Sequence, residues 1–517
     1  MANTAAREVL RCAQYHAGAI LRLAQLLEAL PERSVVGPGD VEIRAIQTDS
    51  RTVQPGDVFI AYPGVAVDSH RFIPDAIARG AVAVVAERYV EVPMSVARVT
   101  VPSGRAAWAL MSAAWHGFPS RSFPVVGVTG TDGKTTTSSL VGAILAAAGR
   151  KVGLVTTVSA NIGGVSVDTG FHTTTPEPPE IQAYLAEMAR QGTEVAVVET
   201  TSHALALDKV LGIDYDVAVV TNVTHEHLDF HGTWEAYLDA KARLFEGLMG
   251  AARKPGVPKT AVLNRDDASY ARLSHVLADR QLTYGRSPSV DVGADDVAID
   301  STGLRFVART PIGPVRIATR LLGEFNLYNA LAAIGAAVAL DVPAEAIAGG
   351  LAGFHGVPGR FEAIDRGQPF GVVVDFAHTP SSLRRVLELG RRIANGKVAV
   401  VFGCAGLRDV AKRPLMGRAA GELADRVYLT AEDPRTEELG AILAQIADGV
   451  RAAGADPTLI PDRGEAIARA IGDAQPGDLV LITGKGHEQS MCFGEEERPW
   501  DDRQVADQAL RVLGWDG

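Results

Sequence analysis

Apolar residues in this chain come in short unbroken runs rather than in alternation with polar ones. "PVVGVT", "KVGLVT", "EVAVVET", "DVAVVTNV" and "TAVLN" fall between residues 124 and 264, and "GVVVDFAH", "KVAVVFG", "RVYLTAE" and "DLVLITG" follow residue 370. A strand buried on both faces has no polar side to alternate with, so such runs predict parallel strands covered by helices. In the middle of the chain each run is followed by loop-forming residues and most by a helical segment, which predicts an α/β fold. Before residue 101, "DVFIAY" and "AVAVVAE" alternate with the helical "RFIPDAIARG" and predict a smaller α/β unit.

Two stretches interrupt the pattern. "WHGFPSRSFP" (115–124) and "FHGVPGRFEAI" (354–364) carry the Gly and Pro expected of linkers. The chain therefore divides into a small N-terminal α/β domain (1–121), a central domain with a mostly parallel sheet (122–357) and a C-terminal Rossmann-like α/β domain (358–517), in keeping with its 517 residues. Composition leaves this picture standing: 47% hydrophobic and 21% charged residues suit a globular enzyme. The net charge of −11 disfavours binding nucleic acid by counterion release. Cys12, Cys404 and Cys492 have no disulfide or zinc spacing, no run reaches the roughly 20 apolar residues of a membrane span, and Arg7, Glu8, Arg11 and Arg22 break the N-terminal apolar stretches. A cytoplasmic monomer without membrane insertion is expected.

Candidate chemistry centres on "GVTGTDGKTTT". The strict phosphate-loop pattern fails, because Val128 stands where its first Gly belongs. The physical elements are nonetheless present. A strand leads into Gly130, Thr131, Asp132 and Gly133, a helix begins near Thr135, Lys134 can reach terminal phosphates, and Thr135 can ligate magnesium, with Thr136 in the first turn. Glu199 ends one strand and Glu226 and His227 follow the next, so a carboxylate and an imidazole stand beside the loop. Taken alone, Glu199 is as readily a helix cap and His227 a structural histidine. Thr201, Ser202 and His203 do not make a hydrolase, since neighbouring residues do not face one another and no G-x-S-x-G turn surrounds Ser202.

"GVTGTDGKTTT", "ETTSHAL", "TNVTHEHLDFHG", "EFNLYNALAA", "GRFEAI" and "VVVDFAHTP" together resemble the Mur ligases, ATP-dependent enzymes that add amino acids to the peptidoglycan peptide. "TDSRTVQPGDVFIAYPG", "VFGCAGLRDVAKRPLMG", "TAEDPRTEE" and "ITGKGHE" resemble the branch that adds the third residue. The resemblance implies an N-terminal UDP-sugar-binding domain, a central P-loop-type ATPase domain and a C-terminal amino-acid-binding domain. It also implies ATP and Mg2+ as cofactors, and an acyl phosphate formed on UDP-MurNAc-L-Ala-D-Glu before a diamino acid attacks.

By the same resemblance, Lys134 and Thr135 serve the phosphates and a magnesium ion, while Glu199 and His227 hold a second. Lys241 matches a carbamylated lysine; read without the family, it is an exposed helical lysine. Asn326 would meet adenine, and Arg360 and Asp375 the ribose and phosphates, whereas Asn329 reads as a cap of the apolar helix after it. Thr48 and Ser50 would lie near the uridine nucleotide, and Thr174, Thr175 and Thr201 near the muramoyl peptide. Leu207 and Lys209 stand where similar ligases often carry Gln and Arg.

Arg408, Glu432, Asp433, Arg435, Gly484 and Glu488 make up the implied acceptor pocket. Arg435 offers a planar fork to a distal carboxylate, which favours meso-diaminopimelate. Glu432 and Asp433 replace the usual Asp-Asn pair, and their charge keeps lysine and ornithine open as acceptors. A bland role for Arg435 is to brace Glu437 or Glu438. Two rivals are a folylpolyglutamate synthase-like ligase and a nucleotide-dependent regulatory module; the latter lacks an N-K-x-D segment.

Overall fold

The unbroken apolar runs fold as strands in the computed structural model, which describes residues 21–64, 67–167, 175–224, 228–300 and 303–516. In the N-terminal region, β1 (Ser34–Val36), β2 (Ile46–Gln47), β3 (Val58–Ile60), β4 (Ala83–Ala86) and β5 (Ala97–Thr100) form a sheet ordered β1-β5-β4-β3-β2. Its pairs are parallel except at the β1 edge. Helix α1 (Gly104–Trp115) starts where Ser103 Oγ accepts the Ala106 amide at 3.2 Å, and buries Ala107, Met111 and Trp115 in the sheet's core.

The central sheet comprises β6 (Val125–Thr129), β7 (Val152–Val155), β8 (Ala160–Ile162), β9 (Val165–Val167), β10 (Val195–Glu199), β11 (Val217–Val220), β12 (Thr260–Asn264) and β13 (Arg280–Tyr284), ordered β9-β8-β7-β10-β6-β11-β12-β13. Pairing is parallel from β7 through β13, and the β8-β9 hairpin adds an antiparallel edge. Because β6 lies between β10 and β11, a crevice opens at its carboxyl end, where ligands of open α/β sheets bind. Around this sheet lie α2 (Lys134–Ala147), α3 (Pro178–Arg190), α4 (Ser202–Ala206), α5 (Leu228–His231), α6 (Trp234–Glu246), α7 (Glu324–Ala339) and α8 (Ala344–Ala352). α7 is apolar nearly all round and is buried accordingly. α8 crosses α2 so closely that a Cβ on Gly350 would come within 2.5 Å of Ile144 Cα.

One carboxylate pins the start of β6. Asp216, fully buried, accepts the Val125 amide at 2.8 Å and Lys259 Nζ at 2.9 Å, and it also pairs with Lys254. The segment read as the first linker is a packed joint. Arg121 pairs with Asp214 at 2.9 Å, and a Cβ on Gly212 would come within 2.8 Å of Ala113 Cβ. The described residues before 122 fall in the same compact unit as the central sheet. That unit comprises Met1–Ala298, Arg305–Thr319 and Glu324–Phe354; the other comprises Ile299–Leu304, Arg320–Gly323 and His355–Gly517.

In the second unit β14 (Glu362–Ala363), β15 (Gly371–Asp375), β16 (Val398–Phe402), β17 (Arg426–Leu429), β18 (Thr458–Leu459) and β19 (Leu479–Thr483) form a sheet ordered β14-β15-β19-β16-β17-β18, antiparallel only at the β14 edge. Successive side chains enter opposite layers. Val373, Val400 and Leu481 pack on α9 (Pro380–Ile393), α10 (Lys412–Leu423) and α11 (Leu439–Ala452), while Val372, Val401 and Ile482 face α12 (Arg463–Gly472) and α13 (Asp502–Val512). Two cores on one sheet explain why these strands read as continuous apolar runs. A hairpin, β20 (Ser490–Phe493) and β21 (Glu496–Pro499), follows β19. Among the described residues no helix is long and apolar enough to cross a membrane.

Candidate active site

The turn after β6 is built from segments far away in sequence. Gly130 has φ 149°, and a Cβ there would lie 1.8 Å from Thr221 Oγ1; Gly133 has φ 78°, and its Cβ would lie 2.1 Å from Asn329 Oδ1. Only glycine fits either position. The Thr131 amide donates to Asn222 O at 2.7 Å and the Asp132 amide to Asn222 Oδ1 at 3.1 Å, while Thr221 Oγ1 donates to Asp132 O at 2.6 Å. Lys134 Nζ folds back to Thr131 O at 2.8 Å. α2 starts immediately after this turn, so its first amides and its positive end face the crevice, an arrangement suited to phosphate.

Glu199, at the end of β10, reaches the same place. Its buried carboxylate accepts from Thr135 Oγ1 at 3.0 and 3.1 Å, from the Thr157 amide at 2.9 Å and from Thr157 Oγ1 at 2.9 Å. The helix-cap reading of Glu199 fails, because Thr201 caps α4 by accepting the Ala204 amide at 3.2 Å. Thr135 and Glu199 supply hard oxygen donors at the mouth of the phosphate turn, which fits a magnesium ion. Lys241, on α6, is buried as well. Its Nζ donates to Gly130 O at 2.7 Å and lies 4.3 Å from the Tyr237 ring centroid, so the exposed-lysine reading is wrong. Tyr237 itself shares a 3.1 Å hydrogen bond with Thr131 Oγ1.

Asn329 does not cap. It lies inside α7, where its Nδ2 donates to Asn326 Oδ1 at 3.0 Å and its Oδ1 accepts from Thr137 Oγ1 at 3.4 Å. Thr175 Oγ1 lies 3.3 Å from Thr201 Oγ1 and donates to Glu199 O at 3.3 Å, while Lys209 pairs with Glu177. Leu207 ends α4. Thr48 lies near the Tyr62 hydroxyl, and the hydroxyl of buried Ser50 lowers the pKa of the nearby Asp75 carboxyl. His227 and Thr174 lie outside the described residues, as does Cys12.

The second unit gathers its own set. Asp375 accepts the Phe361 amide at 2.7 Å and the Ala377 amide at 2.8 Å. The Arg360 guanidinium sits 4.6 Å above the Phe376 ring, which also touches His378 and His487. Burial pushes the two imidazoles down, His378 to about 4 and His487 to about 3, so both are neutral at pH 7. Glu432 is buried with Oε2 lacking a hydrogen-bond partner among the described residues, and a Cβ on Gly484 would come within 2.7 Å of that oxygen. Burial raises its pKa to about 7 against the pull of Lys412, Arg463 and Lys485.

Arg435 has φ 53°, and its Nε is buried with no hydrogen-bond partner among the described residues. It does not brace the nearby glutamates. Glu437 binds Arg413 at 2.6 and 2.8 Å, and Glu438 caps α11 by accepting the Gly440 and Ala441 amides. Asp433 pairs with Lys485 at 3.0 Å, and Lys485 with Glu488 at 2.5 Å. Arg408 is exposed.

Comparison with known proteins fixes the family. The Mur ligase middle domain matches residues 128–337, the Mur ligase glutamate ligase domain residues 359–486, and the Mur ligase family catalytic domain residues 42–115. A UDP-N-acetylmuramyl-tripeptide synthetase of Roseiflexus sp. (strain RS-1) is 45% identical over 96% of this chain and 100% of its own. The chain belongs to the Mur ligase family.

Another Mur ligase, the UDP-N-acetylmuramoyl-L-alanyl-D-glutamate--2,6-diaminopimelate ligase of Geobacillus thermodenitrificans, is 44% identical over 95% of this chain and 99% of its own. A solved structure of a UDP-N-acetylmuramoyl-L-alanyl-D-glutamate--2,6-diaminopimelate ligase superposes with a TM-score of 0.67 at 30% identity, covering 96% of this chain and 100% of that one. Within this Mur ligase the first unit brings together Gly130 to Thr135, Glu199, Lys241, Asn326, Thr175 and Thr201. The second brings together Glu432, Asp433, Gly484 and Glu488 and, separately, Arg360 with Phe376. Sequence reasoning missed Thr157, Thr221, Asn222 and Tyr237, which hold the turn and Glu199 in place. A clue lay in "VVTNVT", where two polar residues end an apolar strand next to the phosphate-loop strand.

Proposed function

We propose that this Mur ligase joins meso-2,6-diaminopimelate to the D-glutamyl carboxylate of UDP-MurNAc-L-Ala-D-Glu, with ATP and Mg2+. Family membership supports amide formation. The observation that carries the acceptor is Arg435: its buried Nε finds no hydrogen-bond partner among the described residues, while every acid of its own loop is engaged elsewhere or buried. A distal carboxylate would complete it with a charge-assisted pair.

The chain's own residues divide the work. Gly130 to Thr136 and the start of α2 cradle phosphates, and Lys134 neutralises charge on the terminal group. Thr135 and Glu199, with His227 and a carbamylated Lys241 in their company, would hold magnesium. Such an ion would supply charge neutralisation for transfer of the phosphoryl group to the glutamyl carboxylate, which gives an acyl phosphate. Asn326, Arg360 and Asp375 contact the nucleotide. Thr48, Ser50, Thr174, Thr175, Thr201 and Lys209 contact the UDP-linked peptide. Arg408, Glu432, Arg435, Gly484 and Glu488 form the acceptor pocket.

Phosphate release is the test, measured with ATP, UDP-MurNAc-L-Ala-D-Glu and, in separate reactions, diaminopimelate, lysine or ornithine. Release that requires the precursor and prefers diaminopimelate is expected. Equal efficiency with lysine removes Arg435 from acceptor choice, and release that ignores the precursor removes the ligase reading.

A further inference from the structure

Two segments about 50 residues apart in sequence meet at one buried cation. Lys485 is completely buried; its Nζ lies 3.0 Å from both oxygens of Asp433 and 2.5 Å from Glu488 Oε2. Asp433 Oδ1 also accepts the Cys492 amide at 2.9 Å. Cys492 is the residue whose carbonyl takes the Arg435 amide at 3.1 Å, and the Gly494 amide returns to Arg435 O at 2.8 Å. The hairpin, through Cys492 of β20 and Gly494 of its turn, therefore clamps Arg435 on both sides of its backbone, and Asp433 clamps β20. Arg435 needs such a clamp, because its φ of 53° is strained for a residue with a side chain. Burying Lys485 alone would be costly, but its two acids restore and even raise its affinity for the proton.

We propose that Lys485 is a positioning residue for acceptor recognition: shared between Asp433 and Glu488, its ammonium fixes the backbone of Arg435 and so the reach of the guanidinium to the acceptor's distal carboxylate. This rests on the ligase reading above. It also accounts for Asp433, whose charge is taken up by Lys485 and so is lost neither to Arg435 nor to an incoming ammonium.

The test compares kcat/KM for diaminopimelate and lysine in the full-length enzyme, with folding checked by circular dichroism. Lys485→Met should lower the diaminopimelate-to-lysine ratio by about tenfold or more, chiefly through a higher KM for diaminopimelate, since a mis-set fork loses bidentate contact before it loses chemistry. Asp433→Ala cuts the same tie from the other side, should shift the ratio likewise, and carries the comparison if Lys485→Met does not fold. Asp433→Asn keeps an oxygen for both Lys485 and the Cys492 amide and should move the ratio by less than about threefold. Parallel loss with both acceptors at unchanged KM for diaminopimelate would make Lys485 a fold support only and overturn the proposal. A wild-type enzyme that forms no amide with either acceptor, or favours neither, overturns the ligase or acceptor reading and this inference with it.

Discussion

Glu432→Gln tests how burial governs the second unit. Glu432 is 6% exposed, and burial holds its carboxyl at about 7 instead of 4.5. The folded state therefore keeps a proton that the unfolded chain releases near pH 4.5. Stability from this group is fully present below pH 4.5 and is lost as pH rises through 7. A shift from 4.5 to about 7, at about 1.4 kcal/mol per pH unit, amounts to roughly 3 kcal/mol. His378 and His487 act in the opposite sense. Depressed to about 4 and about 3, they contribute stability above their unfolded value of 6.5 that is lost as pH falls. The wild-type curve alone mixes both signs, so the difference between variant and wild type is the quantity to follow. Gln has the same shape and does not titrate, and the histidines cancel in the difference. Urea titrations from pH 4 to 8, followed by tryptophan fluorescence to which Trp500 and Trp515 of this unit's core contribute, give that difference. It should move in favour of Gln by about 3 kcal/mol between the two ends. A difference that stays constant to within about 1 kcal/mol refutes the burial argument.

Gly133→Ala forces a side chain to φ 78° and 2.1 Å from Asn329 Oδ1, so the KM for ATP should rise about tenfold or more while circular dichroism is unchanged. An unaltered KM would detach the turn from the nucleotide. Lys241→Ala should cut turnover by about a hundredfold, with partial recovery on adding short carboxylic acids, and undiminished turnover removes the carbamate. Asp216→Asn strips the carboxylate from two buried lysines and should cost about 3–5 kcal/mol, seen as a lower Tm; a change below about 1 kcal/mol would show that Lys254 and Lys259 find other partners.

The strands were legible because sheets covered on both faces need continuous apolar runs, and β6, β10, β11, β15, β16 and β19 all satisfy that need. The turn after β6 was legible because its glycines and the helix after it are local. The β8-β9 hairpin and β13 ("RQLTY") were not, since edge strands carry polar residues that blur the pattern. In the site, Lys241 and Asn329 were misread alone because nothing local marks a helical Lys or Asn as buried; each is decided by a turn about 110 or 190 residues away in sequence. Ser202 shows the same limit. Its partner is His231 Nε2 at 3.1 Å rather than the adjacent His203.

The turn proposed to receive phosphate also has a history within a single round of synthesis. Gly130 and Gly133 leave the ribosome well before Thr221, Asn222 and Asn329, the residues against which they are shaped. A nascent chain halted before residue 329 would carry the motif without its mould, so nucleotide capture should begin abruptly once α7 has been translated and has docked.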